Sequence, residues 1–274
     1  MTVLFSVPAH ESTPIVKDTV DNIVKFVPDS HVVIHAARQF EDFDPAVFDG
    51  YDNVTINPVR FHTVLHESQL HLHLTNLVAA YNLGLNFDYF SIFHTNQMFV
   101  KPGFDQYIKQ YQYSAWTDFD TFASVASRSD LHMHKSRMDY MFGFGSYPKV
   151  SALLAEGSFY SRDMIYYILD KCRSSKSFNE MNVPTNLEET VLVTLALHAS
   201  GERGYGRPTT LWLGDTPVTQ NIIDDVIQNK PVTQEYEDHL NKTKTISSDC
   251  LYSIKRIPRD INNPLRQYIN GLVK

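Results

Sequence analysis

The sequence predicts an α/β fold, with a mostly parallel central sheet and helices on both faces. Three observations carry this. Short apolar runs alternate with amphipathic stretches along the first half of the chain. A strand, a helix and a second strand fit within about forty residues, the length of a βαβ unit with a right-handed crossover. No Pro/Gly/Ser-rich linker interrupts the alternation, which argues for one compact domain over residues 1–274.

In chain order, TVLFSVPAH reads as a buried strand from Thr2 to Val7 that runs into a proline-containing loop. TPIVKDTVDNIVKFV places Ile15, Val16, Val20, Ile23, Val24 and Val27 at helical spacing. HVVIHAA is a second buried strand ending at Ala36, and NVTINPV a third, shorter one. SQLHLHLTNLVAAYNLG makes a long helix ending at Gly84, and FDYFSIFHT a fourth strand. Further on, GFDQYIKQYQY looks helical and TFASVAS suits a strand. GSFYSRDMIYYILDKC begins extended and becomes a helix, and TTLWLGD is a late strand. From Thr216 onward the chain is polar and is expected to wrap over the sheet.

The 274 residues are 43% hydrophobic and 12% aromatic, a globular composition. A net charge of -7 argues against a dedicated nucleic-acid coat. Cys172 and Cys250 form neither a disulfide framework nor a metal signature, so a reducing compartment is expected. The N-terminal apolar run stops at Pro8 and lacks a basic flank, a poor signal peptide, and no window reaches the ~18 apolar residues of a membrane span. The expectation is a cytoplasmic protein.

An open α/β sheet binds ligands beyond the carboxyl ends of its strands. That singles out Pro8-Ala9-His10, His35 to Arg38, and His94-Thr95-Asn96-Gln97. No GxGxxG follows the first strand and no GxxxxGK[ST] occurs, which weakens dinucleotide-binding and P-loop readings.

VPTNLEETVLVTLAL places two adjacent carboxylates before an apolar helix. Asn186 suits an N-cap and Glu189 the third helical position, where an acidic group complements the helix dipole. The competing reading makes Glu189 a base over a reaction centre, with Glu188 as the fallback.

Several blocks, taken in order, resemble the core-2/I-branching and xylosyltransferase-like glycosyltransferases. VLFSVPAHESTPIVKDTVDNIV followed by HVVIHAARQ looks like their opening. FDYFSIFHTNQMFVKPGFDQYI is similar to their block with a Ser-Gly-Ser-Asp-like turn, and EGSFYSRDMIYYILD to the block that meets the acceptor sugar. PTNLEETVLVTLAL matches their Pro-Asp-Glu block, with Glu189 on the catalytic glutamate and Thr194 on a threonine five residues later. YSIKRIPRD resembles the block that contacts the nucleotide diphosphate. Where the family has an acid, this chain has Ala37 after Ile-His and Gln97 in the turn.

The resemblance implies a GT-A-like, Rossmann-like single domain. Residues 1–115 would form a nucleotide-sugar-binding half and residues 116–274 an acceptor-binding and catalytic half. It implies inverting transfer from a nucleotide diphosphate sugar such as a UDP-sugar, in a bacterial or viral (phage) relative that lacks the secretory disulfides and anchor of the animal members.

Inverting transfer needs a carboxylate to take the acceptor proton and positive charge at the departing diphosphate. Glu189 is the candidate base. Lys255 and Arg256 are the candidate diphosphate clamp, with Arg259 and Arg266 in reserve. His10, His35, Arg38 and Gln97 are expected to line the nucleotide. Glu156, Ser158, Phe159 and Tyr160 are expected to meet the acceptor, although the two aromatics serve a core equally well. No cofactor is expected. HTNQ offers no carboxylate for a divalent metal, and DFD at Asp118 to Asp120 lies away from the expected strand end. His71 and His73, two apart on a helix, cannot share an ion, and His132 and His134 lack a third ligand. The expected acceptor is a glycan or glycolipid. A hydroxymethylated base in viral DNA is the alternative acceptor, and a non-catalytic nucleotide- or carbohydrate-binding module is the alternative of another class.

Overall fold

The computed structural model describes residues 1–64, 68–115, 151, 153–175, 187–201, 203–214, 216–235 and 243–273. Strand β1 (Val3–Ala9) is buried along its whole length because it is paired and covered on both faces. It pairs in parallel with β2 (Ser30–Ala36) on one side and with β4 (Tyr89–Ile92) on the other. The short β3 (Val54–Ile56) extends the sheet beyond β2. Beyond β4 come β7 (Phe159–Ser161), antiparallel to its neighbours, then β6 (Tyr113–Ser114) and β8 (Tyr205–Gly206). The seven-stranded order is β3-β2-β1-β4-β7-β6-β8.

β1 runs two residues past Val7, through the proline that the sequence reading takes as its end. Even-numbered residues of β1 face β4, as the bond from Phe93 N–H to the Ser6 carbonyl shows, while Ala9 accepts from Ala37 on the β2 side. Pairing with β4 stops at Ser6, so the donor that Pro8 lacks would face no partner strand.

Helix α1 (Thr13–Phe26) covers one face of the sheet with Val16, Val20, Ile23 and Phe26. On the other face lie α2 (Gln69–Asn82) and a pair of helices, α4 (Arg162–Ser174) and α5 (Val191–Ser200). Successive strand residues point to opposite faces. Accordingly Phe159 packs among the phenylalanines under α1, and Tyr160 among the residues under α2, α4 and α5.

Three expectations are corrected. GFDQYIKQYQY is helical only over α3 (Phe104–Ile108), because Tyr113 and Ser114 are drawn into the sheet between β7 and β8. The segment after Thr216 is more than a polar wrap. β5 (Gln97–Phe99), β12 (Ser253–Lys255) and β9 (Thr210–Leu211) form a second sheet. With α6 (Gln220–Ile227) and α7 (Pro264–Gly271) it encloses an apolar cluster containing Met98, Leu211, Ile223, Ile254 and Ile269. The remaining strands, β10 (Val232–Glu235) and β11 (Thr243–Ile246), pair antiparallel.

Third, Arg266 is no diphosphate ligand. Its guanidinium is fully buried, ion-paired to Asp18 of α1 and donating to the carbonyls of Thr95 and Pro258. A buried guanidinium persists only when its donors are satisfied in this way. It fastens the C-terminal helix to α1 and to the turn after β4. TFASVAS, Asp118 to Asp120, His132 and His134 lie outside the described residues.

Candidate active site at the switch point of the sheet

From β1 the chain crosses to β2 on one side, and from β3 it crosses back to β4 on the other. The connections therefore part between β1 and β4, the position at which open α/β sheets offer a ligand crevice beyond the carboxyl ends of the strands. His10 and Glu11 follow β1 there, and His94, Thr95 and Asn96 follow β4.

Glu156 sits at this crevice, 3% exposed. Its Oε1 lies 3.0 Å from Nδ1 of His94 and 2.5 Å from Nζ of Lys255. Lys255 arrives on β12, whose register sets it opposite Gln97 of β5. Burial raises the Glu156 carboxyl, but His94 and Lys255 outweigh it and hold the group below the usual carboxylate range. Gly157, just after it, has φ +74°, and a Cβ there would sit 1.8 Å from Oγ1 of Thr210. Only glycine allows that approach.

A second carboxylate organises the β1 side. Glu11 Oε1 lies 3.0 Å from Nε2 of His10 and 2.6 Å from Nε of Arg259, and accepts from Oγ1 of Thr95 at 2.8 Å. Burial raises its pKa, yet these partners carry the net shift downward. Beneath His94 lies the fully buried His73, its ring stacked 5.6 Å away and its Nδ1 2.8 Å from Oγ of Ser6. Burial first, then the positive charge available to His94, hold His73 well below its ordinary value.

The opening carboxylates of VPTNLEETVLVTLAL separate. Leu187–Glu189 form a 3-10 turn ahead of α5, with Thr190 between, so Glu189 does not occupy the third position of the α-helix; Asn186 lies outside the described residues. Glu188 is buried and Glu189 half-buried. The Glu189 carbonyl accepts from Leu153 N–H, and Thr194 donates to the Ser151 carbonyl. Burial pushes the Glu188 carboxyl well above its ordinary value, helped by the negative charges of Glu189 and Glu156 and opposed by Lys255. Glu188 thus lies within electrostatic reach of Glu189, Glu156 and Lys255.

Five buried polar atoms around the crevice make no hydrogen bond: Glu11 Oε2, His94 Nε2, Asn96 Oδ1, Glu156 Oε2 and Ser158 Oγ. Buried polar groups are almost always satisfied, so these atoms call for a polar partner, water included, as do buried atoms of Ser30, His35, Gln69, His73 and Ser151 elsewhere.

The structure brings His10, Glu156, Ser158 and Lys255 to this region. Arg256 is exposed, with a left-handed φ of 70°. Arg38 is exposed at the end of β2. Gln97 is fully buried, and its amide donates to Thr210 Oγ1 at 2.8 Å and Ser253 Oγ at 2.9 Å, so it ties strands together. His35 is also fully buried, packed against Phe61 with ring centroids 4.3 Å apart, and burial pushes it down to about 4. Phe159 and Tyr160, at 0% and 1% exposure, cannot stack on an acceptor ring. They are core residues on opposite faces of β7. The sequence reading overlooks Glu11, which directly follows the strand end at His10, and names His94 only within the strand end His94 to Gln97, without a role of its own.

Among the described residues no three His, Cys, Asp or Glu side chains converge as a metal site. Likewise, no helix among them is long and apolar enough to cross a membrane.

No protein-family model matches the chain, and no curated protein matches it. Solved structures resemble it at low identity. The active-site mutant Q189E of LgtC is 10% identical with a TM-score of 0.47, covering 99% of this chain and 95% of that one. Galactosyltransferase LgtC in complex with donor and acceptor sugar analogs is also 10% identical, with a TM-score of 0.46 and the same coverage. Glucosyl-3-phosphoglycerate synthase from Mycobacterium tuberculosis, in complex with Mn2+, UDP and phosphoglyceric acid, is 10% identical with a TM-score of 0.43, covering 93% and 90%. At these values the likenesses establish neither activity nor substrate for this chain.

Proposed function

We propose that this protein is a GT-A-type glycosyltransferase that moves a sugar from a nucleotide diphosphate sugar to an acceptor hydroxyl, with inversion and without a bound metal. The observation that carries the reading is the Glu156–Lys255 pair at the switch point, amid unpartnered buried polar atoms and within electrostatic reach of Glu188. The order of the sequence blocks supports it independently.

In the proposed reaction the acceptor oxygen bonds to the anomeric carbon while the bond from that carbon to the diphosphate oxygen breaks. The electron pair leaves with the diphosphate, and the acceptor proton passes to the Glu189 carboxylate. Lys255 and Arg256 meet the developing negative charge. Lys255 is already held by Glu156, so the diphosphate must compete with that carboxylate or join it around the ammonium. His10, Arg38 and Arg259 stand at the strand ends from which a nucleotide could be reached. The acceptor is a glycan or glycolipid.

The test is a thermal-shift screen with UDP, other nucleoside diphosphates and their sugars, followed by transfer assays with and without EDTA. A shift with a nucleotide sugar and EDTA-resistant transfer are expected. Loss of transfer in EDTA would refute the metal-free version. Transfer to hydroxymethylated duplex that falls steeply with salt would replace the glycan acceptor by DNA. Binding of a nucleotide sugar with neither hydrolysis nor transfer would replace the enzyme by a binding module. No shift with any nucleotide would overturn the reading.

A further inference from the structure

A cavity of about 360 Å³ lies at the β8 edge of the sheet, lined by Tyr107, Tyr111, Tyr205, Gly206, Arg207, Asp249 and Cys250. Its volume falls within the range of small-molecule sites. The rings are set by the fold. A Cβ on Gly206 would meet the Tyr111 ring at 2.6 Å and Phe159 at 3.0 Å, so the glycine lets Tyr111 lie against the strand. The Tyr107 hydroxyl accepts from Arg207 N–H at 2.7 Å, and the Tyr107 and Tyr111 ring centroids are 5.1 Å apart. The lining is thus aromatic, with a carboxylate and a guanidinium, both exposed.

This cavity lies close to the turn that carries Glu156. The Thr209 hydroxyl donates to the Gly157 carbonyl at 2.6 Å, next to Glu156. From Gly206 to Thr209 an extended chain spans at most about 11 Å. Gly206 and the turn that carries Glu156 are therefore neighbours.

We infer that this tyrosine-lined cavity is a saccharide-binding subsite that holds a ring of the acceptor beside the transfer centre, an inference that rests on the proposed reaction. Aromatic faces suit the apolar C–H surface of a sugar ring, while Asp249 accepts from, and Arg207 donates to, ring hydroxyls. A charged group is not called for, because one acid and one base line the cavity together.

The experiment is saturation-transfer NMR on the full chain with glucose, galactose and N-acetylglucosamine, and with uridine as the contrasting ring. The same measurement is made on Asp249→Asn and Arg207→Gln, both surface changes, with folding checked by Tm. At least one sugar is expected to bind the wild type and to lose several-fold of its signal in both variants, while any uridine signal stays unchanged. No sugar binding, sugar binding untouched by both variants, or a fall confined to uridine would each overturn the subsite. UDP-induced stabilisation measured on the same samples separates the two conclusions. Its absence refutes the transfer reaction, whereas its presence beside a failed sugar experiment refutes only the subsite.

Discussion

Lys255 holds Glu156 across 2.5 Å, joining a strand of the C-terminal sheet to a buried carboxylate beside the carboxyl end of β4 in the main sheet. The carboxylate is 3% exposed, and with Lys255 removed it would keep the His94 contact at 3.0 Å but lose its ammonium partner. Lys255→Met is therefore expected to destabilise the fold by about 2–4 kcal/mol and to weaken nucleoside diphosphate binding together with it. Urea denaturation and UDP titration measure the two. A loss under about 0.5 kcal/mol would mean that the pair behaves as a solvent-screened surface bridge.

Glu188 and Glu189 are adjacent yet lie in different environments, and the two glutamine variants should separate them. Glu189→Gln is expected to lower kcat for transfer by about 100-fold or more while leaving UDP binding within a few-fold. Glu188→Gln is expected to retain transfer within a few-fold and to raise stability at pH 7. The folded state holds the Glu188 proton above the ordinary value of 4.5, so Glu188 costs stability as pH rises past that value. The gain in Glu188→Gln should accordingly vanish below pH 4.5. If transfer collapses in Glu188→Gln and survives in Glu189→Gln, the base is the buried residue.

His35 sets an acid limit on the fold. Its pKa falls from 6.5 to about 4 on burial, so the unfolded chain takes up a proton that the folded chain refuses, and stability is lost as pH drops from 6.5 toward 4. The depressed Glu156 carboxyl acts in the same direction, its contribution fading as pH falls below 4.5. His35→Leu should shrink the stability difference between pH 7 and pH 5 by about 2 kcal/mol, read by denaturant melts at both pH values. An unchanged difference would show that His35 is accessible to protons in the folded state.

Gly157→Ala should cost more than about 2 kcal/mol, because it adds a left-handed alanine to a collision with Thr210. The displaced turn carries Glu156, so nucleotide binding should weaken as well. A variant as stable as the wild type would mean that the strand bearing Thr210 moves freely, which its bonds to Gln97 and Ser253 argue against.

The amino-acid sequence by itself determined the order of the elements. The apolar spacing of Ile15 to Val27 produces α1, and the continuous runs before His10 and Ala37 produce β1 and β2. Those signals are local, because periodicity and turn chemistry act between residues a few positions apart. Tertiary structure alone decided which groups meet. Glu156 finds Lys255 and His94, Arg266 disappears against Asp18, and Phe159 and Tyr160 turn into the two cores instead of toward an acceptor. Each of these outcomes depends on partners far away in the chain. Strand pairing and the enclosure of the second sheet fix them, and no spacing within a short window encodes either.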